Sequence, residues 1–171
     1  NITNIGDLGI YIPSFRISDS APGTNSPIVT LRGQRPSDVG LTVDPAIPIY
    51  FAEIPLTPNQ GTNLAMYDLA SVQVLKGPTG TLFGRNTTGG AVLLTPNKPI
   101  DEFEAYIEGG AGNYDMALGQ AMLNVPLSDV FKLRFAIDHQ QRDGYLDNIS
   151  AIGPQDFADI DYIAYHLSTL W

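Results

Sequence analysis

The sequence predicts a small α+β domain followed by a set of antiparallel β strands. Residues 1–100 carry six acidic and six basic side chains, whereas residues 101–171 carry twelve acidic and three basic ones. The whole net charge of −9 therefore belongs to the second part. The hydrophobic pattern changes at the same place, from short runs between turn residues to longer runs of strict alternation. A Pro-rich segment, residues 95–101, joins the two parts.

Composition excludes several classes of function. The chain has 171 residues and no cysteine, so disulfides, thiolate metal sites and cysteine nucleophiles are absent. A net negative charge argues against nucleic-acid binding, which depends on Lys and Arg at phosphates. His139 and His166 have no second ligand at metal-binding spacing, and no nucleophile–base motif accompanies them. The sequence therefore predicts no cofactor, no metal and no enzymatic activity.

The first part reads as short strands and two short helices. Apolar runs bounded by turn residues predict strands at residues 28–32, 47–51, 72–75 and 91–95. Pro48 predicts that the second of these strands lies at a sheet edge. Near-helical spacing of apolar residues predicts a short helix over residues 62–70, and residues 2–8 predict another that ends before Pro13.

The second part reads as amphipathic strands. In residues 130–142 apolar side chains fall on odd positions and polar ones mostly on even positions, and residues 103–108 repeat the pattern. Because successive side chains of a strand point to opposite faces, each strand has one apolar and one polar face. Such strands with alternately short and long connections fit an outer-membrane barrel, and they fit one side of a soluble β-sandwich equally well.

Residues 76–90 form the most unusual segment. Five glycines in fifteen residues predict a backbone folded too tightly for side chains, with positive φ angles. A phosphate-binding loop does not fit, because no Gly-Lys-Ser/Thr follows the glycines. A dinucleotide-binding turn does not fit either, because residues 92 onward are strand-like and not helical.

The same segment carries a resemblance to a known family. The stretch DLASVQVLKGPTGTLFGRNTTGGAVLLTPNKP (residues 68–99) closely resembles the end of the plug domain of TonB-dependent outer-membrane receptors. IVTLRGQR (residues 28–35) and IPIYFAEIPL (residues 47–56) resemble earlier strands of that domain. NVPLSD (residues 124–129) and LRFAIDHQQRDGYLDN (residues 133–148) resemble the first periplasmic turn and third strand of the barrel. The chain departs from the family at Ala52-Glu53, where Asp-Gly is usual, and at Gln73, where Glu is usual.

The resemblance implies an architecture and a function. Residues 1–99 would be a plug domain, incomplete at its N-terminus, and residues 100–171 about the first four strands of a 22-stranded transmembrane β-barrel. The chain would be part of a longer receptor for energised uptake across the bacterial outer membrane. Its partners would be outer-membrane lipid, the periplasmic TonB complex and a scarce small ligand such as a ferric siderophore, cobalamin or an oligosaccharide. The alternative is a soluble β-rich ligand-binding module with an acidic face, which predicts closed sheet edges and a buried apolar stripe.

The resemblance also implies roles for individual residues. The residues expected in the plug loops and at the plug–barrel contact are Arg32, Gly33, Gly77, Pro78, Gly80, Thr81, Gly84, Arg85, Asn86, Gly89 and Gly90. The side chains expected to face the lumen are Glu104, Glu108, Lys132 and Arg134, and those expected to face lipid are Phe131, Leu133, Phe135 and Ile137. Arg85 is expected to pair with acidic residues of the barrel wall, for which Glu104 and Glu108 are candidates within this chain.

Overall fold

The computed structural model describes residues 4–19, 26–36, 43–56, 65–147, 149 and 156–171. The chain divides into two compact units, Asn1–Pro96 and Asn97–Trp171. The division falls inside the Pro-rich segment at which charge and hydrophobic pattern change. None of the helices within the described ranges is long and apolar enough to cross a bilayer.

The first unit opens with a capped helical turn. A 3-10 turn, Ile5–Asp7, continues into helix α1, Leu8–Tyr11. The Asn4 side chain accepts a hydrogen bond from the Gly6 amide, and the Asp7 carboxylate accepts one from the Asn4 amide. This reciprocal capping satisfies amide donors that a helix start leaves unpaired. The predicted short helix is therefore present, and it extends to Tyr11 before Pro13.

A hairpin and a four-stranded mixed sheet follow. Strands β1, Phe15–Asp19, and β2, Pro27–Leu31, pair antiparallel. The mixed sheet has the order β4-β3-β6-β5. Its strands are β3, Ile49–Phe51, β4, Ile54–Leu56, β5, Leu69–Lys76, and β6, Gly90–Pro96. Strand β3 runs parallel to β6, while the β3–β4 and β5–β6 pairs are antiparallel.

Two sequence expectations for this unit are wrong. Strand β3 lies between β4 and β6 and not at an edge. Pro48 is compatible with that position because it precedes the strand, where its missing N–H costs no ladder bond, and its carbonyl accepts the Val92 amide at 3.0 Å. The expected helix over residues 62–70 is also absent from its described part, since Ala65 bridges to Asn4 and β5 begins at Leu69. Residues 62–64 lie outside the described residues.

Sheet pairing overrides the helical spacing of that segment for a physical reason. Met66 is 8% exposed and belongs to the hydrophobic core of the first unit, and Leu69 packs against the same core. A left-handed conformation at Asp68, with φ of 49°, lies between the two residues and lets both side chains reach the core, while β6 supplies backbone hydrogen bonds from Leu69 onward. The core itself consists of apolar side chains from the helical turns and both sheets: Ile5, Leu8, Phe15, Val29, Leu31, Ile47, Ile49, Met66, Val92 and Leu94.

The second unit is an antiparallel meander, as the sequence predicts. Its strands are β7, Glu104–Gly112, β8, Met116–Pro126, β9, Lys132–Arg142, and β12, Ile160–Leu170. Each of the first three pairs with the next in this sequence order. A two-residue ladder of β10, Leu146–Asp147, and β11, Asp156–Phe157, lies in the long connection before β12. The short β8–β9 turn closes through the Leu127 and Ser128 amides, which both donate to the Phe131 carbonyl at 3.0 Å.

Candidate functional site

The glycine-rich loop connects β5 to β6 and is built as a folded hairpin end. Beyond the last β5–β6 pair, Lys76 with Gly90, the Gly77 amide donates to the Gly89 carbonyl and the Thr79 amide to the Thr87 carbonyl, both at 3.1 Å. These hydrogen bonds extend the hairpin beyond the ends of β5 and β6. The tip is a single helical turn, α2, Gly80–Phe83. The loop is therefore a defined structure with its own hydrogen bonds.

The glycines of this loop are required for two different reasons. Gly77, Gly84 and Gly90 have φ angles of 111°, 79° and 142°, values that side chains disfavour. At Gly90 a Cβ atom would also lie 2.1 Å from the Leu75 carbonyl oxygen. Gly89 has no unusual φ, but its Cβ would lie 2.8 Å from the Ile47 side chain. The tight, glycine-dependent backbone expected from the sequence is therefore present.

A buried tyrosine fixes the tip of the loop. The Tyr50 hydroxyl, on β3, donates to the Phe83 carbonyl at 2.7 Å, and the two rings lie 5.4 Å apart. Burial raises the pKa of the Tyr50 phenol above its ordinary value, so the hydroxyl remains a donor through the neutral range. The Thr87 hydroxyl donates to the Gly84 carbonyl at 2.8 Å and closes the other side of the tip. Tyr50 carries no sequence signal beyond its place in the family-like segment of residues 47–56.

The polar residues of the loop lie mainly at the surface. Pro78, Thr81 and Arg85 are exposed, and Asn86 is half-buried in a turn with φ of 72°. The Arg85 side chain is 88% exposed, and its Nη2 atom lies 3.9 Å from Asp44 Oδ2. Such an exposed pair contributes little to stability. Arg85 is therefore presented to its surroundings by a rigid backbone while its guanidinium is only weakly held.

The second glycine site of the first unit is the turn after β2. Arg32 and Gly33 have φ angles of 51° and 80°, and Leu31 and Gln34 exchange backbone hydrogen bonds of 3.0 Å across them. Positive φ at both central residues is the geometry of a tight hairpin turn. The Arg32 amide additionally donates to the Ser14 carbonyl at 2.9 Å, so the turn is tied to the residue before β1. The Arg32 side chain is exposed.

Most charged residues of the long meander strands share one sheet face, whereas Asp161, opposite Gln141, lies on the other. The register aligns Glu104, Asn124 and Arg134 across three strands, and Glu108 stands opposite Gln120 on the same face. Arg134 Nη1 lies 3.1 Å from Glu104 Oε2, and Lys132 Nζ pairs with the carboxylate of Asp101. Glu104 therefore has Arg134 as its ion-pair partner, and Arg85 has Asp44. Across the part of the chain that the structure describes, no group of three or more His, Cys, Asp or Glu side chains could hold a metal ion.

Asn124 is the residue of this face that sequence reasoning missed. It is fully buried, and its side chain bonds the backbone of residues 100 and 102. The sequence signals for it were its even position in a weakly alternating strand and its place at the start of the family-like segment NVPLSD. The long-range return of the chain over β8, which gives Asn124 its partners, leaves no local pattern.

The opposite face of the meander is apolar and open to its surroundings. Directly opposed pairs place Leu123, Phe135 and Leu167 in one row, and Ala121, Ile137 and Tyr165 in the next. Ile107, Ile163, Tyr165 and Leu167 are 87%, 62%, 70% and 60% exposed within this chain. Leu133, Phe135 and Ile137 alternate along β9 with Arg134 and Ala136, while Phe131 lies just before the strand. The meander therefore has an apolar face four strands wide that is uncovered within this chain.

The chain resembles known proteins along most of its length. Residues 1–91 match the family described as the TonB-dependent Receptor Plug Domain. The chain is 34% identical to the pesticin receptor of Yersinia pestis over 128 residues, 75% of this chain and 18% of that protein. It is 32% identical to the ferripyoverdine receptor of Pseudomonas aeruginosa over 92 residues, 53% of this chain and 11% of that protein.

Solved structures agree with these relatives. The ferric yersiniabactin uptake receptor FyuA from Yersinia pestis superimposes with a TM-score of 0.79 at 26% identity, over 92% of this chain and 24% of that one. The chain thus spans about a fifth of the length of the receptors it matches. The family match covers more than half of the chain, and the fold agrees over both units. The chain therefore belongs to the TonB-dependent receptors of the bacterial outer membrane, of which it comprises plug-domain sequence and the barrel strands that follow.

Proposed function

We propose that the receptor containing this chain imports a ferric siderophore across the outer membrane with energy delivered through TonB. The observation that carries the proposal is the match of residues 1–91 to the plug-domain family, followed directly by a meander with one apolar face. The ligand class is supported by the relatives, which include a ferripyoverdine receptor and a ferric yersiniabactin uptake receptor. The proposed activity involves binding and a driven conformational change, with no bond chemistry.

We further propose the roles of the two sheet faces. The exposed apolar face around Phe135 and Ile137 would contact lipid, because contact of an apolar face with lipid is favourable and its contact with water is unfavourable. The polar face around Glu104 and Arg134 would then line the lumen. The glycine loop with Arg85 and the Arg32-Gly33 turn would contact the barrel wall. A backbone held by its own hydrogen bonds suits that role, since it presents side chains at fixed positions.

The soluble binding module finds less support. It requires closed sheet edges and a covered apolar stripe, yet within the described residues β7 and β12 each pair with one strand only. The apolar face is also uncovered within this chain, as the 70% exposure of Tyr165 illustrates. A barrel explains both features, because further strands would pair the open edges and lipid would cover the face.

Uptake in living cells tests the proposal. The full-length receptor is expressed in a bacterial strain that lacks its own ferric-siderophore receptors, and cells are offered a panel of siderophores loaded with radiolabelled iron. We expect one siderophore to bind in cells with and without TonB, and its iron to accumulate only in cells with TonB. Accumulation without TonB would refute the energised step. Receptor-dependent growth on cobalamin or an oligosaccharide, with no iron uptake from any siderophore, would refute the ligand class.

A further inference from the structure

The chain enters the meander by folding over the polar face of β8. Residues 97–103 belong to the second unit and lead into β7. Asn124 Oδ1 accepts the Ile100 amide at 3.1 Å, while Nδ2 donates to the Ile100 carbonyl at 3.0 Å and to the Glu102 carbonyl at 2.6 Å. The Asn124 side chain therefore forms hydrogen bonds with two backbone carbonyls and one backbone amide of this segment. Asn124 is 0% exposed, so these bonds are shielded from competing water.

Two ion pairs reinforce the same segment. Lys132, at the start of β9, pairs with Asp101, and Arg134 pairs with Glu104 at 3.1 Å. The side chains of Lys132 and Arg134 are only 14% and 5% exposed. The carboxylates of Asp101 and Glu104 are 80% and 52% exposed, so solvent screens both pairs in part, yet each pair supplies an ion-pair partner to a largely buried cation. We refer to Asn124 and these two ion pairs together as the connector anchor.

The anchor bonds to Ile100, Asp101 and Glu102 lie outside the β7–β8 ladder, whereas the Arg134 pair falls on Glu104, the first residue of that ladder. Strand β7 pairs with β8 over nine residues, from Glu104 to Gly112, and the anchor holds the chain just before that ladder begins. A force applied at the start of a strand, perpendicular to the strand direction, breaks the hydrogen bonds of its ladder one at a time. The anchor must break first, and its bonds to β8 and β9 share the load. Any force on residues before 100 therefore acts on the anchor before it reaches the hydrogen bonds of the β7 ladder.

We propose that the connector anchor resists mechanical force. When the plug unit is pulled, only residues before Ile100 are displaced and β7 stays paired in the sheet. The inference rests on the proposed function, because a TonB-driven pull is what would load this segment. Asn124 acts as a positioning residue in this mechanism, since its side chain bonds backbone groups of the connector. The anchor allows the plug unit to be displaced while the barrel strand that follows it stays paired.

Force measurement on the full-length receptor in a lipid bilayer tests the anchor. A handle is attached at position 98 through Lys98→Cys, an exposed site, with other exposed cysteines of the receptor replaced. A constant force is chosen that the Lys98→Cys receptor withstands. Under that force Asn124→Ala should lengthen by about 40 Å, the extended length of residues 101–112, at roughly 3.3–3.6 Å per residue. Its rupture force should also fall.

Met122→Ala is the matched control. Met122 is 3% exposed and lies on the same face of β8, but it stands opposite Tyr106 and Ala136 and not beneath the connector. We expect this variant to keep the parent's rupture force, because it removes packing and leaves the anchor intact. A fall in rupture force as large as that of Asn124→Ala would overturn the proposal, because general loosening of β8 would then explain both.

A second variant keeps the test informative if Asn124→Ala does not fold. Asp101 is exposed, so Asp101→Ala should fold normally while removing one ion pair of the anchor. Its rupture force should fall below that of the parent, by less than the loss in Asn124→Ala where that variant folds. A rupture force in Asp101→Ala equal to that of the parent refutes the anchor. Neither result depends on uptake, whereas failure of the proposed function would appear as absent TonB-dependent import in the unmodified receptor.

Discussion

At the residue scale, Gly90 carries the strongest steric constraint among the glycines that the structure describes. This glycine combines a φ of 142° with a Cβ position 2.1 Å from the Leu75 carbonyl oxygen and 2.9 Å from the Leu31 side chain. Neither contact can relax independently, because Leu75 is in the ladder with β6 and Leu31 is a core residue. Gly80, by contrast, has only an ordinary contact at 3.7 Å to the Thr87 hydroxyl. The two glycines of one loop therefore differ sharply in what they tolerate.

Gly90→Ala should destabilise the β5–β6 hairpin by more than about 3 kcal/mol, since strain and overlap act together. In the full-length receptor, amide hydrogen exchange in β5 and β6 should then accelerate more than about 100-fold, because about 1.4 kcal/mol corresponds to a factor of ten. Gly80→Ala is the control and should change exchange by less than about tenfold. Equal effects of the two substitutions would show that the Gly90 contact is not limiting.

Tyr50→Phe should loosen the loop tip without unfolding the unit. The variant keeps the ring contact with Phe83 but removes the hydroxyl that donates to its carbonyl, a loss of about 0.5–1.5 kcal/mol. Amide exchange in residues 83–87 should rise by roughly three- to tenfold, while exchange in β6 stays unchanged. No change at the loop tip would mean that the bond contributes nothing to its stability.

The same residue predicts a pH dependence. Because burial raises the folded pKa of Tyr50 above the unfolded value of about 10, its contribution to stability is complete below that value and is lost as pH rises through the folded pKa. Loop-tip protection in the unmodified receptor should therefore decline above about pH 10, after correction for intrinsic exchange. Tyr50→Phe should lack this component of the decline. An identical alkaline decline in both proteins would contradict the assignment.

Residue-level prediction from sequence succeeded where the constraint is local. Glycine spacing in residues 76–90 indicated a tight loop, and the structure has positive φ at Gly77, Gly84 and Gly90. Prediction did not reach Asn124, whose partners lie 22 and 24 residues away and depend on how the connector folds over β8. A buried Asn becomes recognisable only when the groups that satisfy it are known.

At the element scale, alternation was the reliable signal and helical spacing was not. The period-two patterns of residues 103–108 and 130–142 lie in or beside β7 and β9, and the meander strands are antiparallel as predicted. The short strands β1 and β4 and the single-turn helix α2 were missed, since three to five residues carry too little pattern. Helical spacing gave the wrong prediction for the segment around Met66, because a sheet partner, and not local spacing, decides its conformation.

The face assignment can be tested on β12 with adjacent residues. Tyr165 is 70% exposed at the middle of the strand on the apolar face, opposite Ile137, while Ala164 is on the other face, opposite Asp138. In the full-length receptor, Tyr165→Lys should destabilise the folded barrel by about 2–4 kcal/mol, the cost of a cation near the bilayer midplane. Ala164→Lys should cost much less, because it brings an amine beside a carboxylate. Reversible urea unfolding in lipid vesicles measures both, and a larger loss for Ala164→Lys would reverse the two faces.

At the scale of the whole molecule, the chain on its own exposes surfaces that promote association in water. Within the described residues the meander has two open edges, at β7 and β12, and an uncovered apolar face that includes Ile107 at 87% exposure. Open edges and an apolar face both promote association in water. We therefore expect residues 1–171, expressed alone, to form oligomers or aggregates without detergent and to disperse in detergent micelles. Size-exclusion chromatography with light scattering measures this, and a cooperatively melting monomer in plain buffer would argue against a lipid-facing surface.

The charge distribution gives Arg85 its expected role in the complete receptor. Residues 1–100 are neutral overall and residues 101–171 carry −9, so cations of the first unit have an acidic sequence as their prospective partner. Arg85 is well placed for such a role, because its backbone is fixed between Gly84 and Thr87 while its guanidinium is 88% exposed and only 3.9 Å from an exposed Asp44. An exposed contact of that kind competes weakly with a bidentate pair formed away from water.

Arg85→Ala should therefore loosen the plug in the full-length receptor without weakening ligand binding. Breaking one side of a pair removed from water costs several kcal/mol, so cells should become more sensitive to large antibiotics that the outer membrane normally excludes. Arg85→Lys is a useful companion, because it keeps the charge but loses the planar fork, and it should give intermediate sensitivity. Asp44→Ala is the matched control and should leave sensitivity unchanged, since it removes only the exposed partner. If Arg85→Ala instead lowers siderophore affinity while antibiotic sensitivity stays at the parental level, Arg85 belongs to the ligand site and not to the contact between plug and wall.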